Sequence, residues 1–323
     1  MISSARAIPE TFSFRGKRVW VAGHNGLVGS ALVRRLETED CEILKVSRQA
    51  LDLTRQLETE NWIEAFRPDV IFVAAAKVGG IAANAAYPAD FLYDNTLIAM
   101  NIMKAAAGIG VERLLWMGSS CIYPKFATQP IDERALLTGP LEPTNEAYAI
   151  AKIAALKLAQ ACSSQNGVRS VSVMPTNIYG PNDNFDLQSS HVIPAMLRKM
   201  HEARIHGDTR VVVWGTGNPL REFLHVDDLA DACCFLMKND TRLPLVNVGS
   251  GEEISIRDLA YLVADVVGYT GQIVFDTDRP DGAPRKLLNS RHLAEMGWKP
   301  KVDLRRGLGE LYMHWRERVE ESV

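Results

Sequence analysis

The chain has 323 residues, of which 47% are apolar and 23% charged, and its formal net charge is −3. This is the composition of an ordinary globular protein that can bury a full core. No basic stripe for nucleic acid or an anionic membrane stands out, and the longest apolar runs are too short to span a bilayer. The first sixteen residues lack the continuous apolar segment of a secretory signal. We therefore expect a cytoplasmic protein with no nucleic-acid or membrane partner.

The first half of the chain alternates short apolar runs with longer helical patterns, which is typical of a parallel βαβ sheet. In chain order the pattern predicts the strand RVWVAG, the helix LVGSALVRRLETED, the strand EILKVS, the helix LETENWIEAFRP, the strand DVIFVAA, the helix DFLYDNTLIAMNIMKAAAGIG, the strand ERLLWMGSS, the helix EAYAIAKIAALKLAQACSSQNG and the strand VRSVSVMP. Asn166-Gly167 is expected to end the last of these helices as a C-cap pair. The fold class expected is α/β with a doubly wound parallel sheet.

After Pro175 the sequence becomes richer in turn residues. A helix is predicted from about Pro194 to Ala203, followed by a strand, a Gly/Pro turn and a helix entered through Asp227-Asp228. LVNVGS is predicted to be a buried strand, SIRDLAYLVADVVGY a helix with Ser255 as its N-cap, and DTDRPDGAPRKLLNS a charged loop. Since no low-complexity linker separates the two parts, we expect the second part to be interleaved with the first.

The cysteine pattern argues against both disulfides and a metal site. The five cysteines form no CxxC or Cys/His spacing, and their odd number fits a reducing compartment. They are Cys41, Cys121, Cys162, Cys233 and Cys234. We expect Cys233 and Cys234 to be small buried residues, and we expect no metal.

Three glycines lie at the first predicted strand-to-helix turn, in GHNGLVG from Gly23 to Gly29. A phosphate-binding turn needs glycine there for a tight reversal, for close approach of a pyrophosphate and for close helix packing. The following helix N-terminus offers free N–H groups to the anion. A glycine trio alone is weak evidence, but its place in a parallel pattern predicts a dinucleotide site.

The cofactor type is read at the end of the second strand, where an acidic residue would hold the ribose 2′-hydroxyl. Here Ser47 and Arg48 occupy that place. An arginine can pair with a 2′-phosphate, so NADP(H) is predicted over NAD(H); a solvated surface arginine is the alternative. Asp52-Leu53 are expected to lie beside the adenine.

Tyr148 and Lys152 in YAIAK are four residues apart and lie on one face of a predicted helix. A phenol is a poor acid near neutral pH, and a nearby ammonium is expected to lower its pKa. Such a pair suits proton exchange with a carbonyl during hydride transfer. The pair follows GSS at the end of the fourth strand, where ligands bind in such sheets.

The glycine trio, the strand-end Ser119 and the YxxxK pair together resemble the extended short-chain dehydrogenase/reductase family, whose members mostly act on nucleotide-sugars. The resemblance implies a Rossmann-type sheet with a smaller, interleaved substrate domain. The NADP-binding domain would cover 1–174, with about 224–250 returning to it, and the substrate-binding domain about 175–223 and 251–323.

Longer runs resemble those members of the family that convert GDP-4-keto-6-deoxy-D-mannose to GDP-L-fucose. These runs are AAAKVGGI, GSSCIYPK, EPTNEAYAIAK, MPTNIYGPNDNF, SSHVIPAM, VVVWGTGNPLREFLHVDDLA and RPDGAPRKLLN. The activity implied is epimerisation at C3 and C5 followed by NADPH-dependent reduction at C4. Such members usually form homodimers through two helices of each subunit, and the YAIAK helix and the one before it are the candidates. The apolar stretch AALKLAQA is compatible with this but does not require it.

The resemblance also assigns roles to residues. Reduction is implied for Ser119, Tyr148 and Lys152, with Tyr148 as the proton donor, and the epimerisation base and acid are implied to be Cys121 and His191. The implied cofactor contacts are Gly23, His24, Asn25, Gly26, Leu27, Val28, Gly29, Arg48, Asp52, Leu53, Met117, Gly118, Ser119, Ser120, Lys152, Pro175, Thr176, Asn177, Ile178 and His191. The implied substrate contacts are Lys199, Trp214, Arg221, Asp281 and Lys286.

The chain departs from the family pattern at two positions. Bacterial members often carry arginine where this chain has Asn25, so recognition of the 2′-phosphate would rest on Arg48. Some members have arginine at the position of Lys199, and lysine keeps the charge but loses the bidentate geometry.

The chemistry of the implied reaction fits these residue types. The C3 and C5 protons are both alpha to the keto group, so inversion needs a base and an acid on opposite faces. A thiolate at Cys121 can be the base if a cation or a helix N-terminus depresses its pKa, and His191 can be the acid. Tyr148 can stabilise the enolate oxygen.

Three alternative functions would require a different set of residues at these positions. A 4,6-dehydratase would need an acid pair at the SSC position, and a simple 4-epimerase would leave Cys121 and His191 idle. A catalytically silent NADP(H)-binding scaffold would not need the intact trio of Ser119, Tyr148 and Lys152.

Overall fold

The computed structural model describes residues 12–187, 189–241, 243–279 and 281–320, without the side chains of 81 and 82. The predicted absence of a secretory signal concerns a segment that lies largely outside the described residues. The strands are β1 (Arg18–Ala22), β2 (Glu42–Leu44), β3 (Val70–Val73), β4 (Arg113–Met117), β5 (Arg169–Pro175), β6 (Asn177–Tyr179), β7 (Arg210–Trp214), β8 (Leu220–His225), β9 (Leu245–Val248), β10 (Glu253–Ser255), β11 (Gln272–Asp276) and β12 (Arg285–Lys286). The helices are α1 (Leu27–Leu36), α2 (Gln56–Phe66), α3 (Ile81–Ala86), α4 (Pro88–Ile109), α5 (Glu146–Asn166), α6 (Val192–His206), α7 (Val226–Lys238), α8 (Ile256–Val267), α9 (Arg291–Glu295) and α10 (Leu304–Glu320).

The main sheet has six parallel strands in the order β2-β1-β3-β4-β5-β9. The chain runs from β1 out to the edge strand β2 and then crosses back to β3 on the other side of β1. The strand order therefore reverses between β1 and β3, and ligands bind outside the carboxyl ends of the strands at such a point. The predicted doubly wound parallel sheet is confirmed.

Apolar strands explain why this sheet is covered on both faces. Every residue of β3 and β4 is buried, as expected of parallel strands that are packed on both sides. On one face, α1 and α7 join a core that includes Leu32 and Leu229. On the other face, α2, α4 and α5 join a second core around Trp20 and Ile102.

The rest of the chain builds smaller sheets beside the main one. In a four-stranded sheet, β8 pairs with β10, β12 and β6, and β7 and β11 form a separate parallel pair. Helices α6, α8 and α10 enclose a third core. Because β9 returns from this part of the chain to pair with β5, the two parts are interleaved.

Local end signals account for several helix boundaries. Gly167 has a left-handed φ of 75° and ends α5, and the Ser255 hydroxyl accepts a hydrogen bond from the Asp258 N–H at the start of α8. Both end signals were predicted from the sequence. Within the described ranges, none of the helices is long and apolar enough to cross a membrane.

Some predicted elements differ from the structure. β2 ends at Leu44 instead of continuing to Ser47, and the segment predicted as a turn before α7 contains the strand β8. The charged loop contains β12, which is two residues long. These strands are stabilised by partners that are distant in sequence, so local patterns do not predict them.

Candidate active site

A cleft of about 1210 Å³ lies along the carboxyl edge of the main sheet. One wall is formed by the segments that follow β1, β3, β4 and β5, and the other by residues of β8, β12 and the loop 281–286. All the residues predicted to contact the cofactor line this cleft, and so do the five predicted catalytic residues. The cleft therefore brings most of the predicted site together.

The glycine turn after β1 fits tightly against its surroundings. Gly23 has a φ of 85°, and a Cβ at this position would lie 2.7 Å from the Ala75 backbone. A Cβ on Gly29 would lie 2.0 Å from the Gly23 carbonyl oxygen, so α1 packs on the turn only with glycine here. Gly26 has more space, since its Cβ would lie 3.6 Å from the same oxygen. No side chain caps α1, which leaves its first N–H groups facing the cleft.

Three polar side chains of the cleft lining lie in the glycine turn and in the segment after β2, namely His24, Arg48 and Asp52. Arg48 is exposed at the cleft wall and forms no ion pair within the described ranges. The Asp52 carboxylate accepts hydrogen bonds from the Thr54 N–H and hydroxyl, at 3.0 and 2.8 Å, which lower its pKa. The Nδ1 atom of His24 is buried and has no hydrogen-bond partner, and burial lowers the pKa of this imidazole. The exposed Arg48 suits a phosphorylated ribose, because it offers a cation that forms no ion pair within the described ranges.

Lys152 is almost fully buried beneath the cleft floor, with 2% of its surface exposed. Its Nζ donates a hydrogen bond of 2.9 Å to the Met117 carbonyl and lies 4.8 Å from the Trp116 ring centroid. Burial lowers its pKa to about 8. The helix α5 and the end of β4 thus hold an ammonium that is easily deprotonated.

Tyr148 lies one turn before Lys152 on α5, with its ring 5.6 Å from the Lys152 Nζ. Burial raises the pKa of its phenol, although the hydrogen bond with Ser119 acts in the opposite direction. The net lowering of this pKa that the sequence led us to expect is not found, because desolvation dominates and Lys152 is directed toward a carbonyl. Tyr148 is therefore held as a protonated hydroxyl.

Cys121 lies in a 3-10 turn, Ser120–Ile122, that directly follows β4 and Ser119. The Ser119 hydroxyl accepts a hydrogen bond of 3.3 Å from the Cys121 N–H. Burial raises the pKa of the thiol, while Lys286, Ser119 and Lys152 act to lower it. The thiol is only 8% exposed, and burial outweighs the two cations.

His191 immediately precedes α6 on the opposite part of the cleft lining. Desolvation lowers the pKa of its imidazole, which favours the neutral form of the ring. A neutral imidazole can accept a proton or donate one through its N–H group.

Two basic residues face the cleft from adjacent strands. Arg221 on β8 and Lys286 on β12 are paired in register, and burial lowers the pKa of both. Within the described ranges neither forms an ion pair with a carboxylate. Two partly buried cations, whose charges Asp281 and Glu142 only partly offset, make this wall a site for a phosphate or diphosphate group.

The other predicted substrate residues are placed differently. The Asp281 carboxylate accepts hydrogen bonds from the Thr216 N–H and hydroxyl, at 2.7 and 2.8 Å, so it fastens the β7–β8 loop. Lys199 and Trp214 do not line the cleft but contact each other, with Nζ 5.5 Å from the ring centroid. Arg279, which the sequence reasoning missed, also lies over the Trp214 ring at 5.0 Å.

Asn95 is another residue that sequence reasoning missed. Its amide accepts a hydrogen bond from the Lys77 N–H and donates one to the Lys77 carbonyl, at 2.9 and 3.0 Å. These bonds hold the loop after β3 that lines the cleft. A buried asparagine in the middle of an apolar helix was the available signal, because buried amides are nearly always hydrogen-bonded.

No metal cluster accompanies these groups. Within the described ranges, no set of three or more His, Cys, Asp or Glu side chains is arranged to hold a metal ion.

Residues 19–249 match the NAD dependent epimerase/dehydratase family. The chain is 54% identical to a GDP-L-fucose synthase of Sinorhizobium fredii, over 95% of this chain and 98% of that one. It is 55% identical to GDP-L-fucose synthase 1 of Arabidopsis thaliana, over 94% of each chain. Among solved structures, a GDP-L-fucose synthetase from Naegleria fowleri bound to NADP is similar, with a TM-score of 0.91, 27% identity and 98% coverage of both chains.

Proposed function

Because the chain belongs to the NAD dependent epimerase/dehydratase family, we propose that it converts GDP-4-keto-6-deoxy-D-mannose to GDP-L-fucose with NADP(H) as cofactor. The reaction comprises epimerisation at C3 and C5 and reduction at C4. One observation supports this most strongly: the Tyr148–Lys152 pair of α5 and the Cys121 thiol that follows β4 line the same cleft. A simple reductase would not need the thiol.

NADP(H) fits the residues at the glycine turn. A Cβ at Gly23 or Gly29 would collide with the protein backbone, so glycine at both positions permits the tight turn that presents the N-terminus of α1 to a pyrophosphate. Arg48 would hold the 2′-phosphate, because it is unpaired and no acid stands at the end of β2. Bound NADPH supplies the hydride that reduces C4.

Both epimerisations begin with removal of a proton from a carbon next to the keto group. Cys121 removes the proton from C3 or C5 once its thiol is ionised, and Lys286 and Lys152 favour that ionisation electrostatically. His191 returns a proton to the opposite face. The Tyr148 hydroxyl stabilises the enolate oxygen, since its raised pKa keeps it a hydrogen-bond donor.

Reduction uses the same oxygen site. Tyr148 gives its proton to the C4 oxygen, while Ser119 holds that oxygen by a second hydrogen bond. Lys152 stabilises the resulting phenolate, because its ring contact with Tyr148 places positive charge nearby. With a pKa of about 8, Lys152 can also pass a proton to the phenolate.

Substrate binding rests on the basic wall of the cleft. Arg221 and Lys286 hold the diphosphate, since they are neighbours in register, line the cleft and form no ion pair within the described ranges. Lys199 and Trp214 lie beyond the cleft and bind the nucleoside end, where an aromatic face suits a base. In this arrangement 1–174 and about 224–250 form the NADP-binding domain, and about 175–223 and 251–323 the substrate-binding domain.

The chain acts in the cytoplasm as a homodimer in this proposal. Helices α4 and α5 pack against each other on one face of the main sheet. The two leucines of AALKLAQA pack largely within the subunit, but Tyr93 and Ile150 are exposed on these helices and supply apolar surface for a second copy. Light scattering of the purified protein tests this, and a monomeric mass would contradict it.

The activity is tested by NADPH consumption with GDP-4-keto-6-deoxy-D-mannose. GDP-D-mannose, which lacks the keto group, is the control substrate. Oxidation of NADPH with the keto sugar and none with the control is expected. If NADPH is not consumed with the keto sugar, the proposal is wrong; if the product retains the D-manno configuration at C3 and C5, the protein is a simple 4-reductase.

A further inference from the structure

Tyr123 is a buried tyrosine that the proposed reaction does not use. It ends the 3-10 turn that carries Cys121, and 3% of its surface is exposed. Its hydroxyl donates a hydrogen bond of 2.6 Å to the Asn247 Oδ1 on β9, and Asn247 is completely buried. Burying two polar side chains costs free energy unless their donors and acceptors are hydrogen-bonded. The relative position of Tyr123 and Asn247 is therefore strongly constrained.

Asn247 also holds the segment that follows Lys286. Its amide nitrogen donates to the Ile131 carbonyl at 2.9 Å and to the Asn289 carbonyl at 3.3 Å. Ile131 in turn exchanges backbone hydrogen bonds with Leu287 and Asn289, each 2.8 Å long. One buried amide thus connects the turn of Cys121 to the strand of Lys286.

A second buried side chain holds the same segment from the other side. The Glu222 carboxylate is fully buried and accepts hydrogen bonds from the Leu288 N–H at 3.1 Å and the Gly251 N–H at 2.8 Å. Residues 286–289 therefore have little freedom to move relative to the main sheet. Lys286 is the cation that most strongly favours ionisation of the Cys121 thiol.

We propose that Tyr123 and Asn247 are positioning residues, whose hydrogen bond fixes the turn that carries Cys121 at the separation from Lys286 that proton abstraction needs. This rests on the proposed function, since it assumes that Cys121 is the base. Tyr123 and Ile131 also line the cleft, and the role proposed for the network is exerted through Cys121 and Lys286.

The test uses Tyr123→Phe, which removes one hydroxyl and keeps the ring. Tyr312→Phe is the matched control, because the Tyr312 hydroxyl also pairs in a buried site, with His201 Nδ1 at 2.8 Å, and lies outside the cleft lining. The pH dependence of iodoacetamide labelling is followed on the peptide that contains Cys121 by mass spectrometry. Solvent deuterium uptake at C3 and C5 is measured with the keto sugar and NADP⁺, and NADPH affinity by fluorescence.

For Tyr123→Phe we expect Cys121 labelling at fixed pH to slow by about fivefold, the equivalent of one buried hydrogen bond, with its midpoint moved to higher pH. The substitution keeps the aromatic ring, so the expected change comes from weaker electrostatic support of the thiolate by Lys286. Deuterium uptake should fall similarly, with NADPH affinity unchanged and Tyr312→Phe like wild type. A labelling profile equal to wild type, with only a loss of thermal stability that Tyr312→Phe shares, would show that Tyr123 is merely structural.

The two proposals fail in different ways. If the wild type takes up no deuterium, the proposed function fails, while the labelling experiment still decides the positioning role. If Tyr123→Phe does not fold, Asn247→Leu replaces it, because leucine is of similar size but can neither accept from the Tyr123 hydroxyl nor donate to the Ile131 carbonyl. The same labelling results then support or overturn the proposal.

Discussion

Replacing Lys152 by methionine removes a buried charge while keeping a side chain of similar length. Burial lowers the pKa of Lys152 to about 8, from an ordinary value near 10.4. Unfolding therefore takes up protons between these values, and the stability of the protein rises as the pH rises through about 8. Below about pH 8, holding the charge in the core costs about 3 kcal/mol.

The stability gained by Lys152→Met is expected to depend on pH, because the cost that it removes exists only while Lys152 is charged. Near pH 7 Lys152→Met should remove the full cost of about 3 kcal/mol, and near pH 10 only about 1 kcal/mol remains to be removed. The pH-dependent part of the hydrogen bond to the Met117 carbonyl is already contained in the lowered pKa of Lys152, so the comparison needs no separate correction for it.

Urea unfolding of wild type and Lys152→Met at the two pH values measures this difference. The advantage of the variant should shrink by about 2 kcal/mol on going from about pH 7 to about pH 10. The variant should also lose activity, because the site depends on the charge. A difference that is the same at both pH values would refute the assignment of a buried, destabilised ammonium.

Tyr148→Phe should lower kcat for NADPH oxidation by a factor of about 10² to 10⁴, the usual contribution of a positioned proton donor, with NADPH affinity unchanged. Deuterium uptake at C3 and C5 should rise with pH across the neutral range, because burial raises the pKa of Cys121 and the thiolate is the base. His191→Asn should slow this uptake more than it weakens NADPH binding. Arg48→Ala should weaken NADPH binding by about tenfold and leave NADH binding unchanged, as titrations with both cofactors would show.

Each of these expectations has a clear opposite outcome. Wild-type turnover in Tyr148→Phe would remove the proton-donor role. Uptake that is flat across neutral pH, or unchanged in Cys121→Ser, would exclude the thiolate as base. Normal uptake in His191→Asn would exclude His191 as the acid. An unaltered preference for NADPH in Arg48→Ala would show that Arg48 does not bind the 2′-phosphate.

The main sheet was predictable because its strands and helices are long enough to show their own periodicity. The glycine turn and the Tyr148–Lys152 pair were predictable for a similar reason, since short spacings fix their geometry. β8 was not predicted, because its strand character depends on pairing with β6, β10 and β12, which lie elsewhere in the chain.

Burial of apolar elements was predicted, as for Cys233, Cys234 and β9, but burial of the polar site residues was not. The phenol of Tyr148 was expected to have a lowered pKa beside an ammonium, yet desolvation raises it. The contact of Tyr123 with Asn247 joins residues 124 positions apart, so no local pattern indicates it. Lys199 and Trp214 were expected among the substrate contacts, and the structure pairs them with each other outside the cleft.

The central claim is that one cleft inverts C3 and C5 and reduces C4. It is tested by running the reaction in deuterium oxide with NADPH and GDP-4-keto-6-deoxy-D-mannose and examining the product by NMR. The account predicts GDP-L-fucose that carries deuterium at both C3 and C5 and protium at C4. A reduced sugar with protium at C3 and C5 would contradict it.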